Sequence, residues 1–276
     1  MLKFLISLIF LVVVLLAIAF VLTYIFQRKL LYPAQTGSEE LVLPSGVERH
    51  DFAGRQGYGI YIAPATANSG NPDGKSPAII FAHGNAELAE QWVQGFMPLA
   101  EAGIGVMLVE FPSYGGAPGK PTLATMREMM LDAYDIVANK PEIDAERIIS
   151  HGRSLGGGAA CLLAEAKPVA AVVLESTFAS LKQLVGELRY PSRFLKDKYD
   201  NVGILAKLDI PVMIYHGRQD ELIGVHHAES LHKAASQSEL ILQDCDHNNC
   251  PRPWKELLSF LGKHGIFDPS EPSQQR

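Results

Sequence analysis

The chain has 276 residues, with 24 basic and 30 acidic side chains and a formal net charge of −6. Three of the basic residues fall within the first thirty positions, so the remainder is still more acidic. This argues against nucleic acid as a partner and against electrostatic adhesion to anionic lipid. No internal repeat or linker divides the chain, and its length suits a single large domain.

The N-terminal segment predicts a membrane anchor, residues 1–30. Phe4 to Phe26 is an uncharged run of 23 residues, which as a helix would be roughly 34 Å long and could span a bilayer. Arg28-Lys29 follows as a stop, although Ala17-Ile18-Ala19 also resembles the cleavage site of a signal peptide. Lys3 and the amino terminus balance the two cations of Arg28-Lys29, so the side of the membrane on which residues 31–276 lie stays open.

Strand-like runs alternate with helical runs from residue 77 onward, which predicts a mostly parallel sheet covered by helices on both faces. The first run, Pro77 to Ala82, ends in a loop that starts at His83 and precedes a helical stretch. Such a loop can supply a backbone N–H group to a developing negative charge, and Asn85 is the candidate donor. His83 is expected to hold this loop and not to act as a base.

The stretch Gly152-Arg153-Ser154-Leu155-Gly156 lies where an apolar run gives way to an alanine-rich helical pattern. This is the sequence form of a nucleophile elbow, in which a strained turn presents the serine and needs small residues two positions to either side. Ser154 is therefore the candidate nucleophile. The N–H group of Leu155, which follows it, is the candidate partner of Asn85 in an oxyanion hole.

An elbow serine needs a base and an acid, in the chain order serine, acid, histidine. A strand predicted at 211–216 leads into Asp220, and a strand predicted at 239–243 leads into His247. Asp220 is the candidate acid and His247 the candidate base, because both leave the sheet at the edge where Ser154 leaves it. Glu175 is a rival acid directly after a strand predicted at 169–174, expected instead to support its loop while Ser176 or Thr177 caps the next helix.

With these residues the chain resembles an α/β-hydrolase-fold serine hydrolase, and it is similar to the membrane-anchored α/β-hydrolase-domain proteins that include depalmitoylases and bacterial relatives. The resemblance implies the roles given above for Ser154, Asp220, His247, Asn85 and Leu155, and a catalytic domain at 31–276. One departure is Glu110-Phe111-Pro112-Ser113, where relatives often have an arginine, so a family salt bridge is in doubt there. The matching motifs are His83-Gly84-Asn85-Ala86, Tyr114-Gly115-Gly116, Gly119-Lys120-Pro121-Thr122, Gly152-Arg153-Ser154-Leu155-Gly156-Gly157, Leu174-Glu175-Ser176-Thr177-Phe178, His216-Gly217-Arg218-Gln219-Asp220 and Asp246-His247-Asn248.

The remaining reactive side chains are expected to be structural. Cys161 is expected to be a buried, inert thiol. Cys245 and Cys250 bracket His247, as free thiols in a cytosol or as a disulfide in an oxidising compartment. Two thiols and a histidine already used elsewhere make a poor metal site, so no metal is expected. The pair His226-His227 is expected to be solvated or to cap a helix.

These observations predict a membrane-tethered hydrolase of carboxylic esters or thioesters, with a small-molecule or lipid-like acyl substrate and no cofactor. The insert from about Glu175 to Ile210 is short, which predicts a small helical lid over a fairly open site. Amide hydrolysis and a catalytically silent binding or scaffolding module are the alternatives. A chain beginning near Leu31 is expected to be soluble and active.

Overall fold

A computed structural model describes residues 1–34, 43–53, 57–65 and 74–268. The described residues form one sheet of eight strands in the order β1-β2-β4-β3-β5-β6-β7-β8. In chain order the strands are β1 (Val47–Asp51), β2 (Tyr58–Ile62), β3 (Ser76–Ala82), β4 (Gly105–Glu110), β5 (Ile143–Arg153), β6 (Ala171–Glu175), β7 (Pro211–Gly217) and β8 (Gln237–Gln243).

The sheet is mostly parallel, as the sequence predicts. Only β2 runs antiparallel to its neighbours β1 and β4, and the five pairings from β4 through β3 to β8 are parallel. Every residue of β3, β4 and β6 is buried, because helices cover both faces and leave these strands no side open to water. Apart from Ser76, Glu110 and Glu175 at strand ends, their composition is therefore apolar, as the fold requires.

Eight α-helices accompany the sheet within the described residues. They are α1 (Leu2–Leu31), α2 (Val93–Glu101), α3 (Leu123–Ala138), α4 (Leu155–Ala166), α5 (Leu181–Glu187), α6 (Asn201–Leu205), α7 (His226–Ala234) and α8 (Trp254–Lys263). One buried apolar cluster packs the five helices from α3 through α7 against one face of the sheet. A second cluster packs α2 and α8 against the other face. The predicted two-sided cover of the sheet is thus confirmed.

The insert between β6 and β7 is the short helical segment that the sequence predicts. It holds α5, a single 3₁₀ turn at Ser192–Phe194, and α6. We call residues 181–199 the lid.

The N-terminal helix α1 is 30 residues long and apolar enough to cross a membrane. A signal sequence near the N-terminus meets the same criteria of length and composition, so these two properties do not distinguish the two. Of its residues only Gln27 is buried. The C-terminal half of α1 packs on the lid, where Phe20 contacts the rings of Tyr190 and Phe194. The helix is therefore attached to the folded domain by more than the chain that follows it.

Candidate active site

Ser154 occupies the turn between β5 and α4, as the elbow motif predicts. Its φ of 52° and ψ of −117° lie in a region that non-glycine residues rarely adopt. Two hydrogen bonds hold this backbone: Ser154 N donates to Glu175 O at 2.9 Å, and Thr177 Oγ1 donates to Ser154 O at 2.6 Å. The strain of the turn is thus held by residues at the end of β6 and beyond it.

The glycines on either side of Ser154 are required by close backbone packing. A Cβ atom on Gly152 would collide with the carbonyl of Gly156, and a Cβ atom on Gly156 would collide with the carbonyl of Ala82. Any side chain at either position would push α4 away from the sheet. The requirement for small residues two positions from the serine is therefore met for a steric reason.

Ser154, His247 and Asp220 lie on one hydrogen-bonded line. His247 Nε2 is 3.1 Å from Ser154 Oγ, and His247 Nδ1 is 2.7 Å from Asp220 Oδ2. All three side chains are buried. Because Nδ1–H donates to the carboxylate, Nε2 carries the lone pair that can take the serine proton. The structure brings together the three residues that the sequence selected from three separate loops.

Asp220 is held as an ionised acceptor. Its Oδ1 accepts from the backbone N–H groups of Leu222 and Ile223 at 3.0 and 2.8 Å. Burial opposes ionisation, but the hydrogen bonds from His247 and from Ile223 outweigh it and hold the pKa of Asp220 below its ordinary value. His216 lies 3.4 Å from the same carboxylate, and it donates from Nε2 to Ile223 O at 2.7 Å.

Glu175, the rival acid, belongs to a different pair. Its Oε1 is 2.8 Å from His151 Nε2, and Arg252 lies 3.9 Å from its other oxygen. Burial raises the pKa of Glu175, but the charge of His151 and the hydrogen bond to it more than compensate, so the pKa is lowered overall. Glu175 therefore supports the end of β6 and does not contact His247.

The two candidate oxyanion donors lie at the start of α4 and on the loop after β3. Leu155 is the first residue of α4, where a backbone N–H group has no acceptor within the helix. Asn85 lies on the loop after β3, and its side-chain Oδ1 accepts from Tyr114 Oη at 3.1 Å. Burial raises the pKa of Tyr114, so its hydroxyl stays protonated and can donate. Tyr114 was not selected as a site residue from the sequence, although its motif was noted.

Arg153 links the loop of the candidate base to the loop of the candidate oxyanion hole. Its guanidinium donates to the carbonyl of His247 at 2.7 Å, to Asn248 Oδ1 at 3.1 Å, and to Glu87. Glu87 in turn accepts from Gly84 N at 2.7 Å. Sequence reasoning missed this role, because the residue before the elbow serine carries no signal of its own and its partners are distant in the chain.

His83 holds its loop, as expected. Its Nε2 lies 2.9 Å from Glu110 Oε1 and its Nδ1 lies 2.8 Å from Gly84 O, with the ring fully buried. Glu110 also accepts from the N–H groups of Ala89 and Phe111, at 2.9 Å each. The arginine absent from this motif is thus not needed as a partner for Glu110, because the Glu110 carboxylate already contacts His83 and two backbone N–H groups.

Cys245 and Cys250 form a disulfide that closes a six-residue loop around His247, with a Cα–Cα distance of 5.0 Å. Of the two expectations for these thiols, the structure contains the bridge. Cys161 is buried on α4, and burial raises its pKa, as expected for an inert thiol.

The expectation for His226-His227 is wrong for one of the two residues. His227 is fully buried, and both of its ring nitrogens have partners: Ala179 N donates to Nδ1 at 3.2 Å, and Nε2 lies 3.3 Å from Glu187. Together with His226, these side chains are close enough to hold a cation, with ligand atoms within 4.8 Å of one another. The bond from Ala179 fixes the proton of His227 on Nε2, however, so this nitrogen has no lone pair to offer a metal.

A cleft of about 570 Å³ opens beside His247, within the size range of small-ligand sites. Six of its seven lining residues are polar or charged, and Leu222 is the exception, exposed at the rim. Its lining does not include Ser154 or Asn85, so the cleft adjoins the candidate base and not the serine itself.

Comparison with known proteins identifies the family. Residues 75–257 match the alpha/beta hydrolase domain. An uncharacterised protein of Mycobacterium tuberculosis (strain CDC 1551) is 31% identical over 244 residues, which cover 83% of this chain and 84% of the relative. The alpha/beta hydrolase domain-containing protein WAV2 of Arabidopsis thaliana is 25% identical over 226 residues, covering 70% of this chain and 72% of that protein.

Solved structures share the fold at low sequence identity. Acetyl xylan esterase 1 from Thermoanaerobacterium superposes with a TM-score of 0.62 at 18% identity, over 87% of this chain and 92% of the enzyme. An esterase from Pyrococcus furiosus gives 0.63 at 19% identity, over 85% of this chain and 97% of that one. The sheet order, the elbow and the matches over most of its length lead to one conclusion: the chain belongs to the α/β hydrolase domain family and has the α/β-hydrolase fold.

Proposed function

We propose that the protein is a membrane-anchored serine hydrolase that cleaves carboxylic esters or thioesters. The observation that carries this proposal is the hydrogen-bonded line from Ser154 Oγ through His247 to Asp220, with the serine on a strained turn. A fold alone does not fix an activity, whereas this arrangement supplies a nucleophile, a base and an orienting acid in the geometry that acyl transfer needs.

In the acylation half-reaction, Ser154 Oγ attacks the acyl carbon while His247 Nε2 takes the hydroxyl proton. Asp220 keeps Nδ1–H pointed at itself and stabilises the imidazolium that forms. The N–H groups of Leu155 and Asn85 stabilise the oxyanion. Collapse of the tetrahedral intermediate breaks the bond to the leaving oxygen or sulfur, which receives the proton from His247.

Deacylation repeats these steps with water as the nucleophile. His247 accepts a proton from the water, the hydroxide adds to the acyl carbon of the acyl enzyme, and Ser154 leaves with the proton that His247 returns. The net reaction consumes one water and releases one carboxylic acid and one alcohol or thiol. No cofactor or metal takes part in any step.

Esters and thioesters are proposed ahead of amides on chemical grounds. An alkoxide or thiolate is a far better leaving group than an amide nitrogen, so acyl transfer from such substrates demands less of the catalytic groups. The esterases among the structural relatives support this preference at the level of the fold. A peptidase or amidase remains the enzymatic alternative. Hydrolysis rates for a panel of acyl esters, thioesters and amides that vary in chain length distinguish esterase, thioesterase and amidase activity.

Labelling with a fluorophosphonate probe tests the proposal. The intact protein should be labelled covalently on Ser154, and Ser154→Ala should lose both the label and the hydrolysis of short activated esters. Ser192→Ala, which removes a hydroxyl from the lid, is the matched control and should keep both. If Ser154→Ala keeps near-wild-type turnover, the serine is not the nucleophile; if the wild-type chain takes no label, the binding-module alternative gains.

We propose further that α1 stays attached as an anchor and that the hydrolase domain faces an oxidising compartment. The bridge between Cys245 and Cys250 supports the second point, because disulfides persist outside the reducing cytosol. Differential alkylation and mass spectrometry of protein from its native membrane test it. Two freely alkylated thiols would remove the case for export.

A further inference from the structure

The lid packs along the end of α1 that leads into the folded domain. The ring of Phe20 lies 5.1 Å from that of Phe194, and Gln27 Oε1 accepts from Lys196 N at 2.8 Å. Arg28 donates two hydrogen bonds to the carboxylate of Asp197, at 2.8 and 3.1 Å. These contacts cover more than two turns of α1 and fix the lid against the helix.

This contact places the lid at the membrane surface when α1 spans the bilayer. A spanning helix needs about 20 apolar residues, so a span that starts near Leu2 reaches the opposite interface near Leu22. Phe20 and Tyr24 then lie at the depth where aromatic side chains collect in membrane proteins. The lid residues that touch them face the headgroup layer.

The outer face of the lid is positively charged although the chain as a whole is acidic. Residues 181–199 hold five basic and two acidic side chains. Both acidic groups are engaged, Asp197 by Arg28 and Glu187 by two histidines. All five basic side chains of the lid are exposed, and among the described residues none forms an ion pair with a carboxylate: Lys182, Arg189, Arg193, Lys196 and Lys198. Of these, Lys196 lies 4.5 Å from the ring of Tyr24 on α1.

An apolar cavity of about 290 Å³ lies between α1 and the lid. Its walls include Leu31 of α1, Leu184 and Val185 of α5, and Leu188 at its lip, which is 76% exposed. The hydroxyl of Tyr190, also in the wall, is buried and has no hydrogen-bond partner among the described residues. A polar group left in this way at an apolar cavity indicates a ligand with both apolar and polar parts.

We propose that the junction between α1 and the lid binds an anionic phospholipid from the bilayer. One acyl chain fills the cavity, Tyr190 Oη donates to an ester oxygen of the lipid, and the exposed cations of the lid hold its charged headgroup. Net charge alone argues against attraction to anionic lipid, but the local distribution of charge reverses that argument where the protein meets the membrane. The inference rests on the proposed role of α1 as a membrane anchor and is independent of the proposed hydrolase activity.

Fluorescence quenching in reconstituted vesicles tests the proposal. The full-length chain with Leu188→Trp is placed in phosphatidylcholine vesicles that contain brominated phosphatidylglycerol or, at the same mole fraction, brominated phosphatidylcholine. The native Trp92 and Trp254 belong to the apolar cluster on the other face of the sheet and give an unquenched background. We expect the brominated phosphatidylglycerol to quench the introduced indole more strongly.

Charge reversal in this background gives the control. Arg193→Glu with Lys198→Glu should weaken the preference for the anionic lipid by more than tenfold, since each basic residue near such a surface is worth about fivefold in affinity. Lys233→Glu with Lys255→Glu, an equal charge change on α7 and α8, should leave the preference intact. Equal quenching by both lipids in the unreversed chain, or quenching by neither, would overturn the proposal.

Thermal unfolding of the wild-type chain is a second test, whose result does not depend on whether a variant folds. In detergent, a short-chain phosphatidylglycerol should raise the unfolding temperature of the wild-type chain more than the matching phosphatidylcholine does, because a ligand that binds only the folded state stabilises it. Equal shifts with the two lipids would count against an anionic-lipid site.

Discussion

At the residue scale, two buried carboxylates near Ser154 have different partners, and this difference decides which of them can serve the base. Asp220 binds Nδ1 of His247, whereas Glu175 binds His151 on β5. The pKa values of both carboxyl groups are lowered, so ionisation does not distinguish them. Only the position of the hydrogen bond does.

Exchange of each acid for its amide tests this assignment. Asp220→Asn should lower kcat by about 10⁴, because an amide at this position favours the wrong tautomer of His247. Glu175→Gln is the matched control and should lower kcat far less, since the Glu175 side chain contacts neither His247 nor Ser154, and the backbone carbonyl that Ser154 N binds is unchanged. Steady-state kinetics on an activated ester gives the comparison. The reverse ranking would assign the acid to Glu175.

The sequence predicts the reacting residues better than the residues that hold them. Ser154 and its two glycines form a contiguous motif whose cause is steric, and Asp220 and His247 each follow a recognisable strand. Arg153 is different, because its function depends on a carbonyl 94 positions away, a contact that only the folded chain creates. Local patterns carry no record of such pairings.

At the scale of elements, the lid is tied to α7 through Glu187 and the buried His227. A histidine at the start of a helix often caps it or faces water, and the sequence therefore predicts a solvated or helix-capping role. The folded chain instead buries this ring under α5, where the N–H group of Ala179 occupies Nδ1. The strands predicted at 77–82, 211–216 and 239–243 agree with β3, β7 and β8 to within two residues, but the orientation of one side chain on a short helix depends on what packs over it.

The buried His227 predicts how stability depends on pH. Burial lowers its pKa below the ordinary 6.5, and the nearby Glu187 only partly opposes this. The unfolded chain, with a histidine pKa of about 6.5, therefore binds the proton at higher pH than the folded chain does. The contribution of His227 is fully present above pH of about 6.5 and is lost as pH falls through the folded pKa.

Thermal unfolding measured from pH of about 7.5 down to about 5.5 should show a falling Tm. His227→Gln should flatten part of this slope, while His232→Gln, an exposed change on the same helix, should leave it as it is. Some slope should remain in His227→Gln, because burial also lowers the pKa of His216. A slope identical in wild type and His227→Gln would contradict the assignment.

At the scale of the whole molecule, α1 is joined to the hydrolase domain by specific polar contacts. Gln27 is bound to the backbone of the lid, and Arg28 is paired with Asp197, whose side chain is 4% exposed. Asp197 also accepts from Leu123 N at the start of α3. One carboxylate thus joins the helix, the lid and α3. A chain beginning near Leu31, which is predicted to be soluble and active, lacks Gln27 and Arg28 and leaves this carboxylate without its cation.

Loss of Arg28 should therefore destabilise the folded domain and not only its attachment to the membrane. Arg28→Ala leaves the buried Asp197 without its cation, at a cost of about 1–2 kcal/mol once the partial exposure of Arg28 is allowed for. In a domain of this size the Tm should fall by roughly 2–8 °C. Lys29→Ala removes an exposed neighbouring charge and should change the Tm little. Asp197→Asn added to Arg28→Ala should recover part of the loss, because the amide is cheaper to bury unpaired than the carboxylate. An unchanged Tm in Arg28→Ala would mean that the ion pair between Arg28 and Asp197 does not stabilise the folded domain.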